Sequence, residues 1–141
     1  MKKVLLIVLA AWLLVTGYEH LAEQAWWPAA GDEAALTGDA ALVVRGVEVR
    51  DLDGRVAWRG DVDLGPVLAR IERGQRDPHR NDGGVFHNRE RRLPDRPGGH
   101  YREYVIRTPG ISHAGPQRLV IGRDGEIFYT ADHYRSFRRM R

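Results

Sequence analysis

The sequence predicts an α+β domain in which a short helix packs on an antiparallel β-sheet, with an extra β-hairpin ahead of them. Three observations lead there. Short runs of alternating apolar and polar residues recur between positions 43 and 130, each bounded by Gly, Asp, Asn or Pro. Residues 63–74 carry their apolar side chains at helical spacing instead. The last two strand-like runs are separated only by Arg123-Asp124-Gly125, a tight turn that joins antiparallel neighbours and is too short for a parallel crossover.

The chain begins "MKKVLLIVLAAWLLVTGYEH": two lysines, an apolar run from Val4 to Val15, then the break Thr16–Gly17. Twelve apolar residues are short for a hydrocarbon core of about 30 Å but suit the centre of a secretory signal peptide. Val15 and Gly17 provide small residues at the −3 and −1 positions of a cleavage site. Residues 1–17 are therefore expected to be a signal peptide, or an N-terminal membrane anchor if cleavage fails. In the second case the helix continues through "YEHLAEQAWW", with Trp26 and Trp27 at the interface. Either way the domain is expected outside the cytoplasm, secreted or periplasmic. Residues 18–41, ending in the small and polar "PAAGDEAALTGDAA", form a linker, and the domain is expected to occupy residues 42–141.

Within the domain, Val43–Arg50 and Arg55–Arg59 alternate on either side of Asp51-Leu52-Asp53-Gly54, which predicts a β-hairpin. The helix follows: Leu64, Val67, Leu68 and Ile71 form its apolar stripe, Asp63 is the expected N-cap, Pro66 sits in the first turn and Gly74 stops it. "QRDPHRNDGG" reads as a polar loop. Strands are expected at Val85–Asn88, Tyr101–Arg107, Arg118–Gly122 and Glu126–Thr130, making a meander with no internal repeat.

A length of 141 residues with 43% hydrophobic composition supports one domain with a real core and excludes a disordered tail. No cysteine occurs, so a disulfide framework, a lipoprotein anchor and a thiol nucleophile are excluded. The formal net charge of +3 is unevenly spread: residues 84–141 hold twelve Arg against six Asp or Glu, a surplus of +6 that leaves −3 for residues 1–83. The basic half is the one suited to a polyanion, and its positive charge is all guanidinium.

No Walker loop, zinc spacing or GxGxxG stands in the chain. The residues that could carry chemistry are Glu103 in the middle of "HYREYVIRTPG", Arg118 in "QRLVIG" and His133 in "TADHY". Taken singly, a Glu on a strand fits a cross-strand ion pair, and a lone His fits a surface or capping role. The meander, however, sets the strands of Glu103 and Arg118 side by side, with His133 just after the last strand. A carboxylate, a guanidinium and an imidazole brought together can cleave RNA through its own 2′-hydroxyl. One group takes the 2′-OH proton, another protonates the departing 5′-oxygen, and the guanidinium stabilises charge on the phosphoryl oxygens. That chemistry calls for neither metal nor cofactor.

Four stretches in order, "GGVFHNRERRLP", "GGHYREYVIRTPG", "RLVIG" and "YTADHYRSFRRMR", resemble the microbial guanyl-specific ribonucleases of the barnase type. The resemblance runs from about Gly83 to the C-terminus; the helix sits where that family has one, and the hairpin of residues 43–59 lies outside it. It implies the microbial ribonuclease fold, with Glu103 as general base, His133 as general acid and Arg118 as a phosphate-binding arginine. Tyr134 matches a family tyrosine near the phosphate. The base-reading loop matches Phe86, His87, Asn88, Arg89 and Glu90, with backbone N–H groups around Asn88 and Arg89 meeting guanine O6 and the Glu90 carboxylate accepting from N1–H and the exocyclic amine.

One position departs from the family. The family has two phosphate arginines, of which Arg118 matches the second; the first would fall at Ala114, beside His113. Either His113 supplies the charge, or Arg118 acts alone, or the loop "GISHAGPQ" shifts the register, and a solvated loop histidine fits His113 equally well. The function implied is metal-independent endoribonuclease cleavage of single-stranded RNA 3′ of guanosine, through a 2′,3′-cyclic phosphate that is then hydrolysed. The competing reading is a catalytically impaired ribonuclease-like module that holds RNA or a protein. The resemblance also implies an RNA substrate, an acidic barstar-like inhibitor protein and a monomer, with membrane contact only through an uncleaved leader.

Overall fold

The computed structural model describes residues 42–141; the expected leader and linker, residues 1–41, lie outside the described residues. Strands β1 (Val43–Arg50) and β2 (Val56–Asp63) form a two-stranded antiparallel sheet. β2 runs four residues beyond the expected Arg59 because its register with β1 shifts between Val44 and Val47, which lets Val62 and Asp63 pair again with Val44 and Val43. Gly46 makes the irregularity affordable: its φ of 62° is a backbone state that glycine enters without strain, and its N–H donates to Asp61 Oδ1 at 2.8 Å. The hairpin buries Val44, Val47, Val49 and Val62. Removing such a side chain from water stabilises by roughly 1.5–3 kcal/mol.

Helix α1 (Gly65–Glu72) follows at once. The expected N-cap is corrected: Leu64 holds that position with no side-chain cap, because Asp63 is still part of β2 and its Oδ1 accepts from the Gly65 N–H at 2.9 Å. Leu64 is fully buried, and Gly74 ends the helix with a φ of 65° and an N–H donated to the Ile71 carbonyl. One arginine ties α1 to the sheet. Arg70 donates to both carboxylate oxygens of Asp82, at 2.9 and 3.1 Å, and to the Val105 carbonyl at 3.0 Å. Asp82, buried, also accepts from the N–H groups of Asp77 and Val105.

The main sheet has five antiparallel strands in sequential order: β3 (Gly84–Phe86), β4 (Tyr101–Val105), β5 (Arg118–Gly122), β6 (Ile127–Thr130) and β7 (Arg138–Arg139). β3 stops short of the expected Asn88, which has a φ of 47° and leaves the strand. β4 ends two residues early because Arg107 turns out to pair with Asp77. β7 was not expected at all; it lies in the terminal arginine run, too short to announce itself by period. On one sheet face Leu93, Tyr101, Val120 and Phe128 form a cluster with Phe86 and Phe137 packed against it. Leu119, Ile121, Ile127 and Tyr129 are buried as well, and they alternate with that set, so the central strands are covered on both faces.

The hairpin joins this body at named points. His113 Nε2 lies 3.0 Å from Asp51 Oδ1 in the hairpin turn, and Arg138 Nη1 donates to the Arg45 carbonyl at 3.1 Å.

Candidate active site

Glu103 sits mid-strand in β4, opposite Gly84 on one neighbour and Val120 on the other, and is 9% exposed. Among the described residues no cross-strand ion pair holds it. Its carboxylate instead accepts a hydrogen bond from the Tyr134 hydroxyl. Burial and the adjacent Glu103 carboxylate push the Tyr134 phenol well above its usual range, so that hydroxyl stays protonated and stays a donor.

Arg118 opens β5 and is 3% exposed. Its Nη1 donates to the Gly115 and Gln117 carbonyls, each at 2.7 Å, while Nε is buried without a partner. No carboxylate of the described residues pairs with it. The guanidinium lies 6.0 Å from the centre of the Tyr134 ring, and Arg118 is not among the residues that line the cleft. A buried positive charge with no carboxylate partner favours negative charge nearby.

His133 and Tyr134 follow β6 with φ of 54° and 71°, two successive left-handed residues. Such a backbone persists only when its surroundings hold it. Thr130 Oγ1 accepts from the Tyr134 N–H at 3.1 Å and donates to Asp132 Oδ1 at 2.9 Å, and Asp132 accepts from the Ser136 N–H and hydroxyl at 2.9 and 2.6 Å. The His133 N–H donates to the Pro116 carbonyl at 3.1 Å. The imidazole is exposed at its edge; burial of the remainder pushes its pKa down, the Arg118 charge pushes it further, and Glu103 acts in the opposite direction.

Glu103, His133 and Tyr134 line a cleft of about 570 Å³ together with Phe86, His87, Asn88, Arg89 and Glu90. Glu103 and His133 thus meet the loop Phe86–Glu90 at one opening. Phe86 packs against Tyr134 at 5.2 Å and Phe137 at 5.9 Å between ring centres, which makes it a support under the site. Asn88 closes the loop with its own amide: it donates to the Leu93 carbonyl at 2.8 Å and accepts from the Leu93 N–H at 3.0 Å. Glu90, its side chain 71% exposed, is held by Arg92 Nε at 2.9 Å, and Arg92 Nη1 donates to the Arg135 carbonyl at 2.6 Å.

His113 is not brought to this cleft. Its Nδ1 accepts from the Gly115 N–H at 3.1 Å and its Nε2 faces Asp51, so of the readings open for His113 this geometry favours the loop residue, here one linked to the hairpin. The physical reason is the docked hairpin, which offers a carboxylate on that side of the loop. Sequence reasoning missed Arg80, Asn81 and Arg92 as cleft residues, and Thr130 and Asp132 as the builders of the His133 turn. Threonine and aspartate just before the turn residue were the available signal for the last two. Among the described residues His100, Asp124 and Glu126 could together hold a metal ion, their ligand atoms lying within 4.8 Å of one another, but they do not line the cleft and Glu126 already accepts from Arg96 at 3.1 Å.

Comparison with known proteins agrees with this geometry. A family model described as ribonuclease matches residues 66–141. The chain is 52% identical over 68 residues to guanyl-specific ribonuclease St of Saccharopolyspora erythraea, covering 48% of this chain and 67% of that protein. It is 46% identical over 75 residues to guanyl-specific ribonuclease Sa3 of Kitasatospora aureofaciens, covering 52% of this chain and 53% of the relative. A solved structure of ribonuclease Sa2 in complexes with mononucleotides superposes with a TM-score of 0.50 at 40% identity, covering 52% of this chain and 77% of that one. The matched region holds α1 and the whole five-stranded sheet with every cleft residue named above, and by that measure the chain belongs to the microbial ribonuclease family.

Proposed function

We propose that this chain is an exported, metal-independent endoribonuclease that cleaves single-stranded RNA 3′ of guanosine. The observation that carries the reading is one cleft lined both by Glu103 and His133 and by the loop Phe86–Glu90. Guanine enters against that loop, its O6 toward the N–H groups around Asn88 and Arg89, its N1–H and amine toward Glu90. Adenine presents no such donor pair. Glu103 takes the 2′-OH proton as the 2′-oxygen bonds to phosphorus, and His133 gives its proton to the 5′-oxygen as the bond from phosphorus to that oxygen breaks. In the second step the roles reverse: His133 takes a proton from water, the new bond to phosphorus forms, and the 2′-oxygen leaves with the proton from Glu103. The Tyr134 hydroxyl, which lines the cleft, faces the charge that grows on the phosphoryl oxygens, and the buried Arg118 guanidinium, 6.0 Å from the Tyr134 ring centre, adds its positive charge from below the surface. The apolar run Val4–Val15 supports export.

A non-cleaving RNA-binding module is the competing reading, favoured by Ala114 where the family has an arginine. Incubation of the chain with a fluorescent oligoribonucleotide bearing a single G, in the presence of a chelator, decides between them. The expected result is one cut after G, passing through a cyclic phosphate. Absence of any cut favours the binding module, and a cut that requires added magnesium overturns the mechanism.

A further inference from the structure

We infer that the N-terminal hairpin builds a second ribonucleotide subsite, for the nucleoside that departs through its 5′-oxygen. The inference rests on the ribonuclease reading above. Beside the guanine cleft lies a second one of about 500 Å³, walled by Arg50, Asp51 and Leu52 of the hairpin and by Pro116, Ala131 and Arg135 of the body. A single residue lines both clefts, and it is His133. The hairpin, residues 43–63, lies ahead of the matched family region, which starts at residue 66.

The proton that His133 delivers goes to the 5′-oxygen of the next nucleotide, so that nucleotide has to lie against the imidazole. Guanosine occupies the side that holds Glu103 and Glu90, and the chain beyond phosphorus then crosses the His133 edge into the second cleft. The chemistry there suits a ribonucleoside. Leu52, 89% exposed, offers with Pro116 and Ala131 an apolar surface for a base or sugar face. The acids of this cleft are already engaged: Asp51 by His113 at 3.0 Å, Asp132 by the Ser136 hydroxyl at 2.6 Å, and Glu48 by Arg59 at 2.7 Å and Arg50 at 2.5 Å. Arg135 has no carboxylate partner among the described residues, and its charge stands beside His133, where the following phosphate would pass. The Asp51–His113 pair and the Arg138 bond to the Arg45 carbonyl hold the hairpin in this place.

The test compares two substrates of the full chain: guanylyl-3′,5′-uridine, and guanosine 3′-(methyl phosphate), which keeps the guanine, the 2′-hydroxyl and the diester but has no downstream nucleoside. Leu52→Asp should lower the ratio of dinucleotide to methyl-ester cleavage by about tenfold, the effect of losing one favourable contact and gaining a like charge near phosphate. Leu52→Trp, which adds a stacking surface, should raise that ratio. Leu52 is solvent-exposed, so both variants keep the fold, and matching thermal unfolding curves check this. Equal ratios in wild type, Leu52→Asp and Leu52→Trp overturn the subsite while leaving the ribonuclease reading intact; a wild-type chain that cleaves neither substrate overturns that reading itself.

Discussion

The Tyr134 hydroxyl donates its hydrogen bond to the carboxylate of Glu103, joining the turn after β6 to the middle of β4. Through that bond a residue in a strained loop positions the group proposed to take the 2′-OH proton. Tyr134→Phe keeps the ring stacked on Phe86 and removes only the donor, so cleavage should fall by about tenfold while the unfolding temperature stays close to wild type. Steady-state kinetics on a single-G oligoribonucleotide checks the first outcome and a melting curve the second.

Glu103→Ala and His133→Ala should each lower cleavage on the order of a hundredfold or more, the usual contribution of a positioned acid or base. Because Glu103 has no ion-pair partner among the described residues and His133 is exposed, neither change should unfold the domain. A variant that loses its cooperative melt would instead mark the residue as structural.

Specificity should depend on two residues together. Glu90→Ala removes the acceptor for the two guanine donors and should reduce the preference for G over A by about tenfold or more. Arg92→Ala leaves the carboxylate present but releases it from the 2.9 Å bond that aims it, so the same preference should erode to a smaller degree. Competition between G- and A-containing oligoribonucleotides measures both, and an unchanged G:A ratio in Glu90→Ala removes this pocket from consideration.

The pH dependence has a definite sign. In the proposed first step His133 gives a proton, so it must start charged, and burial followed by the Arg118 charge lowers its pKa. The alkaline limb of transesterification should therefore fall below the ordinary imidazole value of about 6.5. Arg118→Ala removes a positive neighbour, which raises the pKa and moves that limb to higher pH, while the maximal rate drops on the order of a hundredfold through the lost phosphate contact. The pH–rate profile and an NMR titration of His133 in both proteins read the shift, and a limb that moves to lower pH contradicts the assignment.

Stability should be most sensitive at Asp82. Its buried carboxylate pairs with Arg70 and accepts two backbone N–H groups, so Asp82→Ala leaves a guanidinium and two donors unmatched. A loss of about 3 kcal/mol is expected in urea unfolding.

Much of the fold was legible along the chain because it is built from local signals. The 2.0 and 3.6 periods mark strands and helix, Asp51–Gly54 and Arg123–Gly125 mark turns, and a meander joins neighbours that follow one another in sequence. Local signals failed where a partner distant in sequence decided the outcome. Asp63 reads as an N-cap, but pairing with Val43 keeps it in β2 and hands the capping position to Leu64. β7 exists because the edge of β6 was open to Arg138 and Arg139, not because two arginines favour a strand.

The sequence by itself determined the members of the site: a carboxylate on β4, an arginine opening β5, a histidine after β6 and the Phe86–Glu90 loop, each tied to a local pattern that any copy of the chain would carry. Only the tertiary structure decided how those members are held. Tyr134 reaches Glu103 across 31 residues, Arg92 reaches the Arg135 carbonyl across 43, and His113 meets Asp51 of the hairpin. The physical reason is that a hydrogen bond or ion pair depends on distance and direction between groups, which sequence separation does not record. The same holds for the placement of the hairpin beside His133: composition predicts a hairpin, and packing alone decides which cleft it walls.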